Sequence, residues 1–119
     1  VEDDADMRNL LVARLIKSFY EIIQAEDGEQ AVAKFLSHRP QLILLDIMLP
    51  KMDGFEVLRA IREKSGETGL LPHIIILSNF QKPEYLAMAK EMDVKQYLIK
   101  SQTEIEDICK RVEETLAQK

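Results

Sequence analysis

The chain has 119 residues, 46% of them hydrophobic and 31% charged, with a net charge of −5 and a pI near 5.1. That length suits one compact domain, since domains cluster near about 100–150 residues, and the acidic balance argues against binding nucleic acid through phosphates. A single cysteine, Cys109, rules out an internal disulfide and suits a reducing cytoplasm; no apolar run approaches the roughly 18–20 residues that cross a bilayer; and the acidic start is unlike a secretory signal.

The chain opens on Val1-Glu2-Asp3-Asp4, so only Val1 remains of a strand expected before the acids. Met7, Leu10, Leu11, Leu15 and Phe19 then recur at helical spacing, with Asp6 placed to cap the start and Asp4 also able to cap it. Tyr20-Glu21-Ile22-Ile23-Gln24 is a weaker strand candidate. Gly28 through Ser37 is helical, carrying Ala31, Val32, Phe35 and Leu36. Leu42-Ile43-Leu44-Leu45, after Pro40, is a short continuous apolar run, as strands buried on both faces of a parallel sheet are. A helix with Phe55, Leu58 and Ile61 follows Asp53-Gly54, and Lys64-Ser65-Gly66-Glu67-Thr68-Gly69 reads as a long loop. Ile74-Ile75-Ile76-Leu77, after Pro72, is the second strong strand. Pro83 through Met92 is helical, with Leu86, Ala87, Ala89 and Met92; Tyr97-Leu98-Ile99 is a weaker strand. Ile105, Ile108, Cys109, Val112 and Leu116 form the clearest helical stripe, and Thr103 with Glu106 resembles a capping box before it.

Strands alternating with helices of about three turns predict a doubly wound α/β fold. The expectation is a flavodoxin-like, five-stranded parallel sheet flanked by five helices, spanning residues 1–119 as one unit. Its first strand is largely missing from the given sequence. Sites in such sheets lie beyond the carboxyl ends of the strands. Those ends carry Glu2 and Asp3, Asp46, Ser78 and Lys100, so three carboxylates, a hydroxyl and an ammonium should share one rim. Taken singly, an aspartate after a strand is usually a cap and a lysine there is usually solvated; the set is what points to chemistry. Clustered carboxylates repel unless a cation joins them. Oxygen donors without His or Cys suit Mg²⁺, which keeps room for a phosphoryl oxygen. Lys100 and Ser78 could hold two further phosphoryl oxygens, with Asp46 as nucleophile.

The ordered set Val1-Glu2-Asp3-Asp4, Leu44-Leu45-Asp46-Ile47-Met48-Leu49-Pro50-Lys51-Met52-Asp53-Gly54, Ile76-Leu77-Ser78 and Tyr97-Leu98-Ile99-Lys100 resembles the response-regulator receiver family of two-component systems. The resemblance covers nearly the whole chain. It implies that Asp46 is the phosphoacceptor, that Asp3 contacts Mg²⁺ directly and Glu2 mostly through water, and that the Met48 backbone carbonyl completes the protein ligands. Ser78 matches the switch hydroxyl, Lys100 the lysine that pairs with the phosphoryl group, and Tyr97 the aromatic rotamer switch. Pro50 and Gly54 would shape the loop after Asp46. The implied partners are a sensor histidine kinase or phosphotransfer protein and a downstream protein target or a missing effector domain. No direct contact with nucleic acid or membrane is expected, and the setting is cytoplasmic. The chain would catalyse only its own aspartyl phosphorylation and dephosphorylation, so it is not an enzyme with an external substrate. Its output would be protein contact through the surface of the fourth and fifth helices. No DNA-binding effector domain is expected within these residues.

The sequence departs from the family at several positions. Ser101 stands where proline usually follows the lysine, and Asn79 where a small residue follows the hydroxyl. The glycine usual before the fifth strand is absent, and Lys95-Gln96-Tyr97 replaces the acidic pattern of the winged-helix transcription factors. Met48 and Phe80 occupy positions thought to tune phosphoryl lifetime; both are bulky and apolar, which predicts slow self-dephosphorylation. His38 and His73 have no partner cluster, and Cys109 belongs to an apolar stripe. A haloacid-dehalogenase-type phosphatase is disfavoured because Met48 stands where that class needs a second aspartate. A receiver-like module that ignores phosphate is the other alternative.

Overall fold

The computed structural model describes residues 1–18, 20–68, 72–79, 82–94 and 96–117. Expectations placed on Phe19, Gly69, Phe80 and Lys95 therefore lie outside the described residues.

Helix α1 spans Ala5–Leu15. Its cap is Asp4, whose Oδ1 accepts from the Asp6 and Met7 amides at 3.0 and 3.3 Å. The extended backbone of Asp4 (φ −75°, ψ 110°) turns its carboxylate back onto those amides. Of the two acids able to cap this helix it is Asp4 that does so, and Asp6 lies inside the first turn, where its charge favours the helix N-terminus. A short 3-10 turn, Ile16–Ser18, follows. Helix α2 (Gly28–His38) is capped by Asp27, which accepts from the Gln30 amide at 2.8 Å. Strand β1 is Leu42–Leu45, helix α3 Gly54–Thr68, strand β2 His73–Ser78, helix α4 Pro83–Glu91, strand β3 Gln96–Ile99 and helix α5 Ile105–Ala117.

Helix α3 runs through the segment expected as a loop after Ile61. Leu58, Ile61 and Ser65 are all buried at helical spacing, so the core-facing stripe continues one turn further than the apolar residues alone suggest.

The described strands form a parallel sheet in the order β1-β2-β3. Leu45 pairs with Ile76, and Ile76 with Tyr97, so the strong apolar runs sit centrally. Leu45, Ile75 and Ile76 are fully buried. One core cluster joins Phe35, Leu45, Val57, Leu58, Ile61 and Ile76, and a smaller one joins Leu11, Leu77 and Ile108. Burial on both faces is what helices on both sides of a parallel sheet produce.

The two remaining expected strands are not part of the described ladder. Residues 20–25 run beside the sheet without strand pairing. Val1 and Glu2 lie between them: the Val1 nitrogen donates to the Leu44 carbonyl at 2.6 Å, the Asp46 amide donates to the Val1 carbonyl at 3.2 Å, and the Glu2 amide donates to the Ala25 carbonyl at 3.0 Å. Two residues thus make the bonds that the carboxyl end of a central strand would make.

Candidate functional site

The β1 end delivers Asp46, which is 5% exposed. Its Oδ1 accepts from the Met48 amide at 3.2 Å, and its Oδ2 accepts from Lys100 Nζ at 2.8 Å. Glu2, 4% exposed, is brought alongside by the Val1–Glu2 bridge and accepts from Lys100 Nζ through Oε1 at 2.5 Å. The other Glu2 oxygen accepts from the Asp4 amide at 3.2 Å. Asp3 is exposed, yet a carboxylate oxygen from each of Glu2, Asp3 and Asp46 lies within 4.8 Å of the others. Four of the residues picked from the sequence therefore meet at one rim.

The electrostatics follow from that crowding. Burial, with the Asp46 charge adding to it, raises the Glu2 carboxyl above its usual range; Lys100 and the Asp4 amide oppose the shift. For Lys100, burial alone would lower the ammonium, but the hydrogen bonds and charges of Asp46 and Glu2 together hold it above its ordinary value. Lys100 is thus a bridge between two carboxylates. Three carboxylates against one ammonium leave a net charge of about −2 at the rim.

Ser78, 1% exposed, ends β2. Burial pushes up the phenol of Tyr97 in β3, and a hydrogen bond with the Ser78 side chain opposes that shift. Met48 has its amide against Asp46 and its side chain 57% exposed, at the mouth of the site.

The loop after Asp46 is shaped by backbone contacts. The Gly54 amide donates to the Ile47 carbonyl at 2.8 Å, and a Cβ at Gly54 would lie 2.4 Å from the Asp46 carbonyl oxygen. Any side chain there must push the Asp46 backbone, so glycine is a requirement of the site. Lys51 takes the left-handed backbone (φ 69°), and its ammonium lies 3.5 Å from Asp27 Oδ2.

A family model described as the response regulator receiver domain matches residues 1–113. The chain belongs to this family. It is 32% identical over 101 residues to the chemotaxis protein CheY of Bacillus subtilis, covering 84% of this chain and 81% of CheY. It is 33% identical over 100 residues to a probable transcriptional regulator, ycf27, of Porphyridium aerugineum, covering 84% of this chain and 40% of ycf27. The chain spans 27% of the regulator PhoP of Bacillus subtilis, so it matches well under half the length of the first of these relatives. Among solved structures, the activated receiver domain of Klebsiella pneumoniae RstA superposes with a TM-score of 0.84 at 27% identity, covering 98% of this chain and 95% of that one. The N-terminal domain of an uncharacterised Wolinella succinogenes protein gives 0.84 at 34% identity, covering 99% and 94%. These neighbours carry the flavodoxin-like receiver fold, of which the present sheet shows three strands among the described residues.

Receiver domains serve as phosphoacceptors in two-component signalling, in which response regulators work with histidine kinases and effector domains. The family uses Mg²⁺ at its acidic pocket, and the donor set here fits that ion: all-oxygen, with two units of negative charge beyond what Lys100 neutralises. Glu2, Asp3 and Asp46 would hold it. Among the described residues no helix is long and apolar enough to cross a membrane.

Two supporting residues, Arg8 and Gly28, were not singled out for the site by sequence reasoning. Arg8 Nη1 donates to the Glu2 carbonyl at 2.8 Å and so anchors the acid-bearing turn. Gly28 packs so closely on Met52 that a Cβ would lie 2.4 Å from the Met52 Cβ. Asn79 Oδ1 accepts from the Ser101 amide at 2.8 Å. Arg8 and Gly28 leave no local pattern that separates them from ordinary helix residues; Asn79 and Ser101 were visible only as departures.

Proposed function

We propose that residues 1–119 act as a cytoplasmic receiver unit in which Asp46 accepts a phosphoryl group from the phosphohistidine of a sensor kinase or phosphotransfer protein. The observation that carries this reading is Lys100 bonded to both Glu2 and Asp46, with Asp3 beside them. A carboxylate oxygen of Asp46 attacks phosphorus as the bond from phosphorus to the donor imidazole breaks, and the electron pair of that bond stays on the imidazole. Glu2, Asp3, Asp46 and the Met48 carbonyl would hold Mg²⁺, which would supply charge neutralisation to the phosphoryl oxygens. Lys100, already against Asp46, steadies a second oxygen, and the Ser78 hydroxyl a third.

The output follows from the Ser78–Tyr97 contact. When Ser78 turns to the phosphoryl group, Tyr97 loses that hydrogen bond and can repack, reshaping the surface of α4, β3 and α5 for a downstream protein target or effector domain. The protein acts on itself, with one turnover per phosphoryl group. Met48 at the mouth of the site, and Phe80 beyond the described residues, slow its loss to water. Decay of the acyl phosphate should quicken in Met48→Asn; equal decay would reject that part.

The deciding experiment is incubation with acetyl phosphate and Mg²⁺ followed by intact-mass analysis. One added phosphoryl group is expected, absent without Mg²⁺ and absent in Asp46→Ala. Labelling of Asp46→Ala, or no labelling of the parent, would overturn the reading in favour of a module that keeps the fold and ignores phosphate.

A further inference from the structure

Ser101 and Asn79 depart from the family pattern separately in the sequence, yet they meet in the structure. The Ser101 amide donates to Asn79 Oδ1 at 2.8 Å. Proline at 101 would have no N–H to give, and a small aliphatic residue at 79 would have no oxygen to receive it. The two departures are the two halves of one hydrogen bond. Its position matters because Asn79 directly follows Ser78 and Ser101 directly follows Lys100. Ser78 and Ile99 are register partners at the ends of β2 and β3, so the bond continues the pairing of these strands by a side chain beyond the last backbone pair. There are no cis peptides among the described residues, and Lys100 opens a short 3-10 turn, Lys100–Gln102, from a trans backbone.

We infer that Asn79 is a positioning residue: by holding the Ser101 amide it fixes the Lys100–Ser101 peptide, and through it the Lys100 ammonium, against Asp46 and Glu2. The inference rests on the proposed phosphoacceptor function for its consequence, but the clamp itself concerns only where Lys100 is held. Both residues are exposed, so the bond adds little to global stability; its effect lies in local geometry. The bond also ties the loop that carries Ser78 to the turn that carries Lys100, so the two groups that would grip phosphoryl oxygens share one support.

The test compares Asn79→Ala, Asn79→Asp and Asn79→Ala/Ser101→Pro with the parent chain. Two readouts are taken: the rate of phosphorylation by acetyl phosphate with Mg²⁺, and the NMR signal of the Lys100 ammonium. Asn79→Ala is expected to slow phosphorylation roughly tenfold, as a displaced reacting group does, and to shift or broaden the Lys100 signal while the melting temperature barely changes. Asn79→Asp keeps the acceptor oxygen and should recover both readouts to within about threefold. Adding Ser101→Pro to Asn79→Ala disfavours the 3-10 backbone at Lys100 as well, so it should move the Lys100 signal at least as far as Asn79→Ala alone. An unmoved Lys100 signal in Asn79→Ala would overturn the clamp. So would a loss of rate that follows loss of stability and is not recovered by Asn79→Asp. If the parent chain takes no phosphoryl group, the function proposal fails, and the Lys100 signal alone then decides the clamp.

Discussion

The two sides of β1 are built differently. On one side β1, β2 and β3 are in continuous parallel register, with Leu45, Ile75 and Ile76 fully buried. On the other side Val1 and Glu2 bond both to β1 and to Ala25. The candidate site straddles this boundary: Asp46, Ser78 and Lys100 come from the ends of β1, β2 and β3, Glu2 and Asp3 from the segment beside β1. The sheet therefore sets the nucleophile and its ammonium, while the acids that would hold a metal are placed by backbone bonds to β1 and Ala25 and by Arg8. Lys100 joins the halves through its bonds to Glu2 and Asp46.

That contrast can be broken from the strong side first. Ile76→Ala removes a fully buried side chain between Leu45 and Tyr97, and should cost about 3–4 kcal/mol in urea unfolding, as large core truncations do. A loss below about 1 kcal/mol would mean the paired side is not the main source of stability.

The junction should respond less. Lys100→Met leaves Glu2 and Asp46 facing each other without the ammonium, and should lower stability by about 2 kcal/mol, below the range for fully buried pairs because Lys100 is partly exposed. Because the Lys100 pKa is raised in the folded state, its contribution is complete below its ordinary pKa and is lost as pH rises through the folded value. The gap between parent and variant should therefore stay constant at neutral pH and close in alkali; a gap that widens in alkali would contradict the bridge. The smallest change is expected at Lys51. Its left-handed backbone suits glycine, so Lys51→Gly should stabilise by about 0.5–1 kcal/mol despite losing the contact with Asp27. Thermal unfolding would measure it, and destabilisation would show that the ion pair outweighs the backbone relief.

Most of the paired side was legible from the residues. The runs Leu42-Ile43-Leu44-Leu45 and Ile74-Ile75-Ile76-Leu77 became β1 and most of β2, because an apolar run too short for a helix has few other ways to be buried. The site residues were legible for a related reason: parallel strands put their carboxyl ends on one rim, so Asp46, Ser78 and Lys100 could be placed without coordinates. Of the two weaker candidates, Tyr97-Leu98-Ile99 lies in β3 beside the strong run of β2, whereas Tyr20-Glu21-Ile22-Ile23-Gln24 is not paired as a strand among the described residues. Helix α3 ran past its apparent end because burial of Ser65 depends on what surrounds it, which hydropathy alone does not report.

The sequence by itself determined the order of the helices and of β1, β2 and β3, the sheet edge at which the acids, hydroxyl and lysine stand, and the glycine beside Asp46. These are consequences of periodicity, chain direction and local backbone chemistry. Tertiary structure decided that Lys100 bridges Glu2 and Asp46, that Ser78 meets Tyr97, and that Asn79 receives the Ser101 amide. Such pairings join residues far apart in the chain, and their hydrogen bonds depend on separations that only the packed sheet fixes.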